Sequence, residues 1–455
     1  MVAWVLFFNT NLYPIAPSIE SNNDVLSMDD DDDAHHTKSK GFAFESSPKT
    51  KSQSTISNAS DTKGTPSALS MIQIAVEELE TLSLRFFMYD NEPNITTIKT
   101  TSNAHFKKWK SYHSEVENDE QMFAALKNST LRTHNPDEAE LFVPHVPLGR
   151  IFISKDPYNH INTVMDTLVN HEIFKKHQGN KHVLISTSFL LFREDYLKHC
   201  FPMRKWYPAI VNVTAVLCWD PSATYNDVNH AGGIWNEFLE PVKAMRPLNK
   251  RSASVGFGRK NDLMEISLAT IEKFHDSSNF IFYHSTTSKS FWNSTIFRHA
   301  PMNANLTQNV KFPKSSIGWG LEKSEWLYNY KNSKFCLVIR GDNPSSHSLA
   351  SSIRAGCIPV IISDKLHVWG PILKSSINMS DYGVILNEQD FMNDIEGTLM
   401  RLNEMSEAEV EAKIQYLAFA QRVIFTDHPN SLFVPAFLKE ALHATEVKSG
   451  GLVKL

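Results

Sequence analysis

Two runs of β-branched and aromatic residues, Phe335–Ile339 and Ile358–Ile362, flank one short helix-like segment. Strand, helix and strand within about 30 residues make a βαβ unit. The first run stops at Arg340-Gly341-Asp342, and a polar turn, Asn343-Pro344-Ser345-Ser346, follows. Asn343 suits the N-cap of the helix and Pro344 its first position. Gly356 suits the left-handed position just past its end. The backbone N–H groups near Ser345 and Ser346 would then point into the crevice at the strand's carboxyl end. In an open α/β sheet that is where a phosphate binds.

The same alternation runs through much of the chain. Its pattern predicts a helix over Ile72–Leu82, a strand over Arg85–Tyr89 and a helix over Tyr112–Leu126. Pro136 and the acids after it start a short helix, and Leu141–Val143 is a buried strand stopped by Pro144. Asp156–Lys176 reads as one helix, and His182–Ser186 and Val213–Leu217 as strands. A second series begins with a strand at Ser254–Phe257, a helix at Asp262–Phe274 and a strand at Phe280–Tyr283. Beyond the βαβ unit, Tyr382–Leu386 is a short strand. Ser406 and Glu409 form a capping box before a helix whose apolar face is Val410, Ile414 and Leu417. Strands alternating with helices predict parallel sheets. The architecture inferred is two similar α/β halves facing across a cleft.

Length fits that division, since 455 residues exceed one ordinary core. The segments are a low-complexity stem over 1–70, a first domain over 71–240, a second over 241–430 and a tail or helix over 431–455. The stem is rich in Ser, Thr, Asp and Lys, as a disordered segment is. Its Asp29–Asp33 run holds every Asp-x-Asp of the chain. A block of like charge in such a segment reads as a solvated tail rather than a metal site. The net charge of −5, without a basic block, argues against nucleic-acid binding.

The four cysteines form no CxxC or Cys/His cluster, so no structural metal is expected. Cys336 and Cys357 lie on the two strands of the βαβ unit and read as small core residues, although an even count permits disulfides. Seven Asn-x-Ser/Thr sequons, at Asn58, Asn94, Asn128, Asn212, Asn293, Asn305 and Asn378, point towards the secretory pathway. Val2–Phe8 is apolar but too short to span a bilayer, so it is a weak signal or the remnant of an anchor.

The Phe335–Asp364 stretch resembles the exostosin-like family, glycosyltransferase family 47. The residues in register are Phe335-Cys336-Leu337, Arg340-Gly341-Asp342, Pro344-Ser345-Ser346 and Gly356-Cys357-Ile358-Pro359-Val360. Thr133, Pro136, Ala139, Leu141-Phe142 and Val143-Pro144 resemble a second signature of that family, and Gly179 with His182 a third. Arg251 before Ser254–Gly258 is similar to the family's arginine at the start of its second domain. The resemblance runs from about Arg85 to about Phe425. It implies a GT-B fold of two Rossmann-like domains, with the nucleotide-sugar held mainly by the C-terminal one. It implies an inverting transferase, usually using a UDP-sugar and needing no cofactor or Asp-x-Asp metal. It also implies a Golgi membrane location with the catalytic domain in the lumen, and a glycan or glycoprotein acceptor. Association into homo- or hetero-oligomers stays open. The chain departs from the family at Ser351, where an acid is usual, at His347 and Ser348, where arginines are usual, and at Trp369-Gly370-Pro371.

Glycosyl transfer to a hydroxyl needs a stabilised diphosphate leaving group, a general base and exclusion of water. Without a metal, the first task falls to Arg340 and Arg251, with Gly341, Asp342 and the backbone of Ser345 and Ser346 completing the donor site. Asp342 serves equally well to fix the turn. The base should come from the first domain, where His145, His182 and Asp227 are candidates. Two functions are compatible with these residues. One is an active transferase; the other is an inactive relative that binds glycans or scaffolds a partner.

Overall fold

The computed structural model describes residues 67–89, 110–146, 148, 151, 157–186, 215–218, 252–254, 266–270, 280–283, 310–311, 323–339, 347–364, 366 and 372–446. Every strand pairing among them is parallel.

The first half contributes β1 (Phe86–Tyr89), β2 (Arg132–Thr133), β3 (Leu141–Pro144), β4 (Val183–Ser186), β5 (Ala215–Cys218) and β6 (Ser252–Ser254). They pair in the orders β2-β1-β3 and β4-β5-β6. Among the described residues, a bridge between Phe142 and His182 joins the two sets. β6 pairs with β5, so the strand beginning at Ser252 sits with the first half although it follows residue 241. The second half contributes β7 (Phe280–Tyr283), β8 (Val310–Lys311), β9 (Ser333–Ile339), β10 (Ile358–Ile362) and β11 (Val384–Leu386). These form one sheet in the order β11-β10-β9-β7-β8.

Helices cover these sheets: α1 (Ala68–Glu80), α2 (Lys110–Lys127), α3 (Pro157–Asn170), α4 (Glu172–His177), α5 (Lys323–Lys331), α6 (His347–Ala355), α7 (Met379–Tyr382), α8 (Glu388–Asn393), α9 (Ile395–Asn403), α10 (Glu407–Ile424) and α11 (Phe433–Glu446). The expected βαβ unit is β9-α6-β10. All five residues of β10 are buried, as a parallel strand covered on both faces requires. Gly356 has φ 67° and ends α6 in the left-handed conformation. Gly383 is needed for space: a Cβ there would lie 2.9 Å from the Pro359 carbonyl oxygen. Ser406 caps α10 by accepting the Glu409 N–H, and Ile414 and Leu417 are buried on its inner face.

Several elements differ from the sequence expectation. The helix expected over Asp262–Phe274 is absent at Ile266–Thr270, which is irregular. Its polar backbone is satisfied from outside: Gln421 Oε1 accepts the Ala269 N–H, Gln421 Nε2 donates to the Ser267 carbonyl, and the Arg354 carbonyl accepts the Ser267 N–H. Asp156–Lys176 breaks into α3 and α4 because His171 Nδ1 accepts the Ile173 N–H and caps α4. Tyr382 ends α7 rather than starting β11. Residues 433–446 form a core helix, with Phe433, Phe437 and Leu438 fully buried, packed on α1, α10, β5 and β6.

Cys336 and Cys357 are joined in a disulfide, which corrects their reading as unpaired core residues. Both are buried, as expected. Register supplies the missing part. Ile358 pairs with Phe335, which brings the Cys336 and Cys357 Cα atoms to 5.9 Å, within bridging range.

Behind the βαβ unit, Arg354 is 2% exposed and grips Asp427 with two hydrogen bonds of 3.0 Å. Its guanidinium also lies 4.3 Å from the centre of the Phe425 ring. A buried charge of this kind is tolerable only while paired.

Two outcomes follow from this packing. The Cys336→Ala/Cys357→Ala protein should unfold at lower denaturant concentration, with a loss of about 3 kcal/mol expected for a loop of this size; an unchanged midpoint would mean the disulfide contributes nothing. Asp427→Ala strands the Arg354 charge and should cost about 3 kcal/mol in urea unfolding, whereas Arg354→Met/Asp427→Ala should recover part of that loss.

Candidate functional site

In a parallel α/β sheet, ligands bind outside the carboxyl ends of the strands, where the chain reverses its direction of travel across the sheet. The second sheet reverses between β7 and β9: the chain goes from β7 out to β8, then returns to the other side at β9. The carboxyl ends there are Tyr283 and Ile339. Arg340 is the next residue after Ile339. α6, nine residues long, begins at His347 and returns the chain to β10, so its amino end lies on the same side. Its peptide dipoles favour an anion there.

A carboxylate clasp closes the neighbouring strand ends. Asp364, just past β10, accepts from the Glu388 N–H at 2.9 Å and from Asn387 Nδ2 at 3.1 Å. Glu388, 1% exposed, accepts the Asp364 N–H at 3.0 Å. This reciprocal cap holds the starts of the loops after β10 and β11 together. Sequence reasoning missed it, because the two carboxylates meet only when β10 and β11 pair as neighbours.

The first sheet reverses between β1 and β3, whose carboxyl ends are Tyr89 and Pro144. His145 follows Pro144 directly. It is half-buried, its ring centre 4.3 Å from that of Phe123. Of the two base candidates among the described residues, His145 stands at the carboxyl end of its strand.

His182 is placed differently. It precedes β4, at that strand's amino end, and has no exposed surface. Its Nδ1 lies 2.9 Å from the Asn180 carbonyl and its Nε2 2.7 Å from the Tyr89 hydroxyl. The carbonyl can only accept, so Nδ1 carries the proton and Nε2 accepts from Tyr89. Phe142 stacks on the ring and Phe174 closes another side. Burial pushes the His182 imidazolium down to about 4 and the Tyr89 hydroxyl well above its usual range. With both nitrogens engaged and no solvent contact, the ring pins β1, β3 and β4 together and cannot reach an acceptor hydroxyl. Asp227, Arg251, Gly341, Asp342, Ser345 and Ser346 lie, like Arg340, outside the described residues. Arg251 immediately precedes β6, on its amino-end side. Among the described residues no three metal-binding side chains are gathered at one point, and no helix is long and apolar enough to cross a membrane.

Parallel sheets with crossover helices and an anion-ready reversal point define a mixed α/β protein compatible with a glycosyltransferase fold. Residues 265–401, which hold all five strands of the second sheet, match the Exostosin GT47 domain, in agreement with the resemblance read from the sequence there. The Exostosin-1 homolog of Caenorhabditis elegans is 31% identical over 114 residues. That alignment covers 24% of this chain and 28% of the relative's length. The first-half signatures lie outside the profile match.

The buried neutral histidine makes stability depend on pH. Its folded value of about 4 lies below the unfolded value, so the folded form resists protonation. Its stabilising contribution is complete above about pH 6.5 and is lost as pH falls towards 4, by about 3 kcal/mol in all. Urea midpoints measured between pH 7 and 4 should fall, and His182→Phe should flatten most of that slope. An equally steep slope in the variant would assign the pH dependence elsewhere.

Proposed function

We propose that the protein is an inverting glycosyltransferase that moves a sugar from a UDP-sugar to a glycan hydroxyl. One observation carries the reading: Arg340 directly follows β9 at the reversal point of the domain that matches the exostosin profile. An arginine there can clamp a diphosphate in two-point fashion as the leaving group gains charge. The Ser345 and Ser346 N–H groups and the amino end of α6 add to that stabilisation. The acceptor hydroxyl gives its proton to a first-half base, His145 or Asp227, and attacks the anomeric carbon from the face opposite UDP. Sheet placement favours His145. The GT-B arrangement, with the cleft between the two sheets, is part of this proposal. So is residence in the Golgi lumen, which the Cys336–Cys357 disulfide supports, because such bonds persist in oxidising compartments.

A second reading rests on Ser351, on α6, where the family commonly carries an acid. Without that carboxylate the protein would bind glycan or nucleotide, or hold a partner, without turnover.

UDP binding by calorimetry, with hydrolysis of several UDP-sugars, separates the readings. Arg340→Ala should weaken UDP binding about 10- to 100-fold, the range expected for a lost charged hydrogen bond, with an unchanged unfolding midpoint. Binding without turnover on any donor and acceptor would select the second reading. No UDP binding by the unaltered protein would sink the first.

A further inference from the structure

Two of the seven sequons lie among the described residues, and both stand at the amino ends of sheet strands. Asn128-Ser129-Thr130 lies just before β2, at the amino end of that strand. Asn378-Met379-Ser380 leads through α7 and Gly383 into the amino end of β11. Gly383 lies against the Pro359 carbonyl near the start of β10, which fixes that loop at the amino ends of the sheet. The reversal points at the carboxyl ends of β1, β3, β7 and β9 are on the opposite edges.

Both asparagines and both hydroxyl residues, Thr130 and Ser380, are exposed. Asn378 Oδ1 accepts the Ser380 N–H at 3.2 Å, capping α7. This bond uses only the carbonyl end of the amide. The Nδ2 end makes no hydrogen bond to the described residues, so a substituent there breaks none of their contacts and leaves the cap in place. The Asn128 side chain is likewise clear of the hydrogen bonds that close the end of α2, which use its backbone N–H. The disulfide between Cys336 and Cys357 is an independent indication that the chain folds in an oxidising compartment, where sequons meet their donor.

We infer that Asn128 and Asn378 are N-glycosylation sites, and that their glycans project from the sheet edges opposite the donor crevice. In each case the amide Nδ2 forms a bond to the anomeric carbon of a lipid-diphosphate-linked oligosaccharide. The carbon–oxygen bond to the diphosphate breaks, the diphosphate leaves with the electron pair, and the amide gives up one proton. The inference rests on the secretory part of the proposed function and is independent of whether the protein transfers sugar.

The test is the full chain expressed behind a cleavable secretion leader in eukaryotic cells, with glycopeptide mapping before and after peptide N-glycosidase treatment. Peptides containing Asn128 and Asn378 should both be occupied. Ser380→Ala and Thr130→Ala remove the sequons without touching the capping asparagine, and each should lose one glycan with an unchanged unfolding midpoint. Ser380→Thr keeps the sequon and should keep the glycan. UDP affinity should change less than about twofold on deglycosylation. An unmodified Asn128 or Asn378 in the secreted protein overturns that site. A large change in UDP affinity on deglycosylation overturns the opposite-edge placement. If both sites are occupied but UDP does not bind, the transferase reading fails and this inference stands.

Discussion

The parallel pairing of β9 with β10 is the constraint on which the rest of the second half depends. Five consecutive pairs, from Ile358 with Phe335 to Ile362 with Ile339, fix the register. A slip by one residue would turn every buried side chain to the other face, and with both faces covered no alternative register is tolerable. The disulfide ties this pair near its amino end. The opposite end, at Ile339 and Ile362, leads into Arg340 and the Asp364 clasp. The unit is therefore tied covalently near its amino end, and beyond β10 Leu366, Ile372 and Leu373 return to the same core.

The same logic extends outward through polar contacts. Gln421 uses both ends of its amide: it accepts from Ala269 and donates to the carbonyls of Ser267 and Ile353. It is wholly buried, and each of its contacts satisfies a backbone group that could find no water. Arg354 and Asp427 tie the end of α6 to the turn after α10. α11 then crosses to β5 and β6 while also packing on α10 and α1. Apolar burial supplies most of the driving force for this core, but these few directed contacts decide how the helices sit on the sheet.

The sequence revealed those parts whose signal is local. Runs such as Ile358–Ile362, the Ser406 cap and the left-handed Gly356 each announce themselves within a few residues. The expectations that failed depended on partners distant in sequence. Ile266–Thr270 has enough apolar residues to suggest a helix, but its backbone is claimed by Gln421, about 150 positions away. Cys336 and Cys357 looked like small core residues until strand register brought them together. His182 looked like a candidate base because it stands at a strand end; what the sequence did not show is that Tyr89 occupies its Nε2 and that Phe142 and Phe174 enclose the ring. At the candidate site the legible part was the carboxyl end of β9, because a strand followed by a polar turn marks that end by its order alone. The Asp364–Glu388 clasp was not legible, since it requires knowing that β10 and β11 are neighbours.

His145 and His182 show why a residue's type says little about its role. Both are histidines near strand ends in the first sheet, and both touch aromatic rings. A general base must reach its proton donor and must gain a proton during the reaction. His182 meets neither condition: its accepting nitrogen is occupied by Tyr89, and burial disfavours the charged ring. Its neutral form instead accepts one hydrogen bond and donates another, which lets a polar ring sit in the core without an unpaired atom. His145 follows the strand whose carboxyl end borders the reversal point of the first sheet. Direction along the strand, not proximity to its end, therefore separates the enclosed histidine at an amino end from the half-buried one at a carboxyl end.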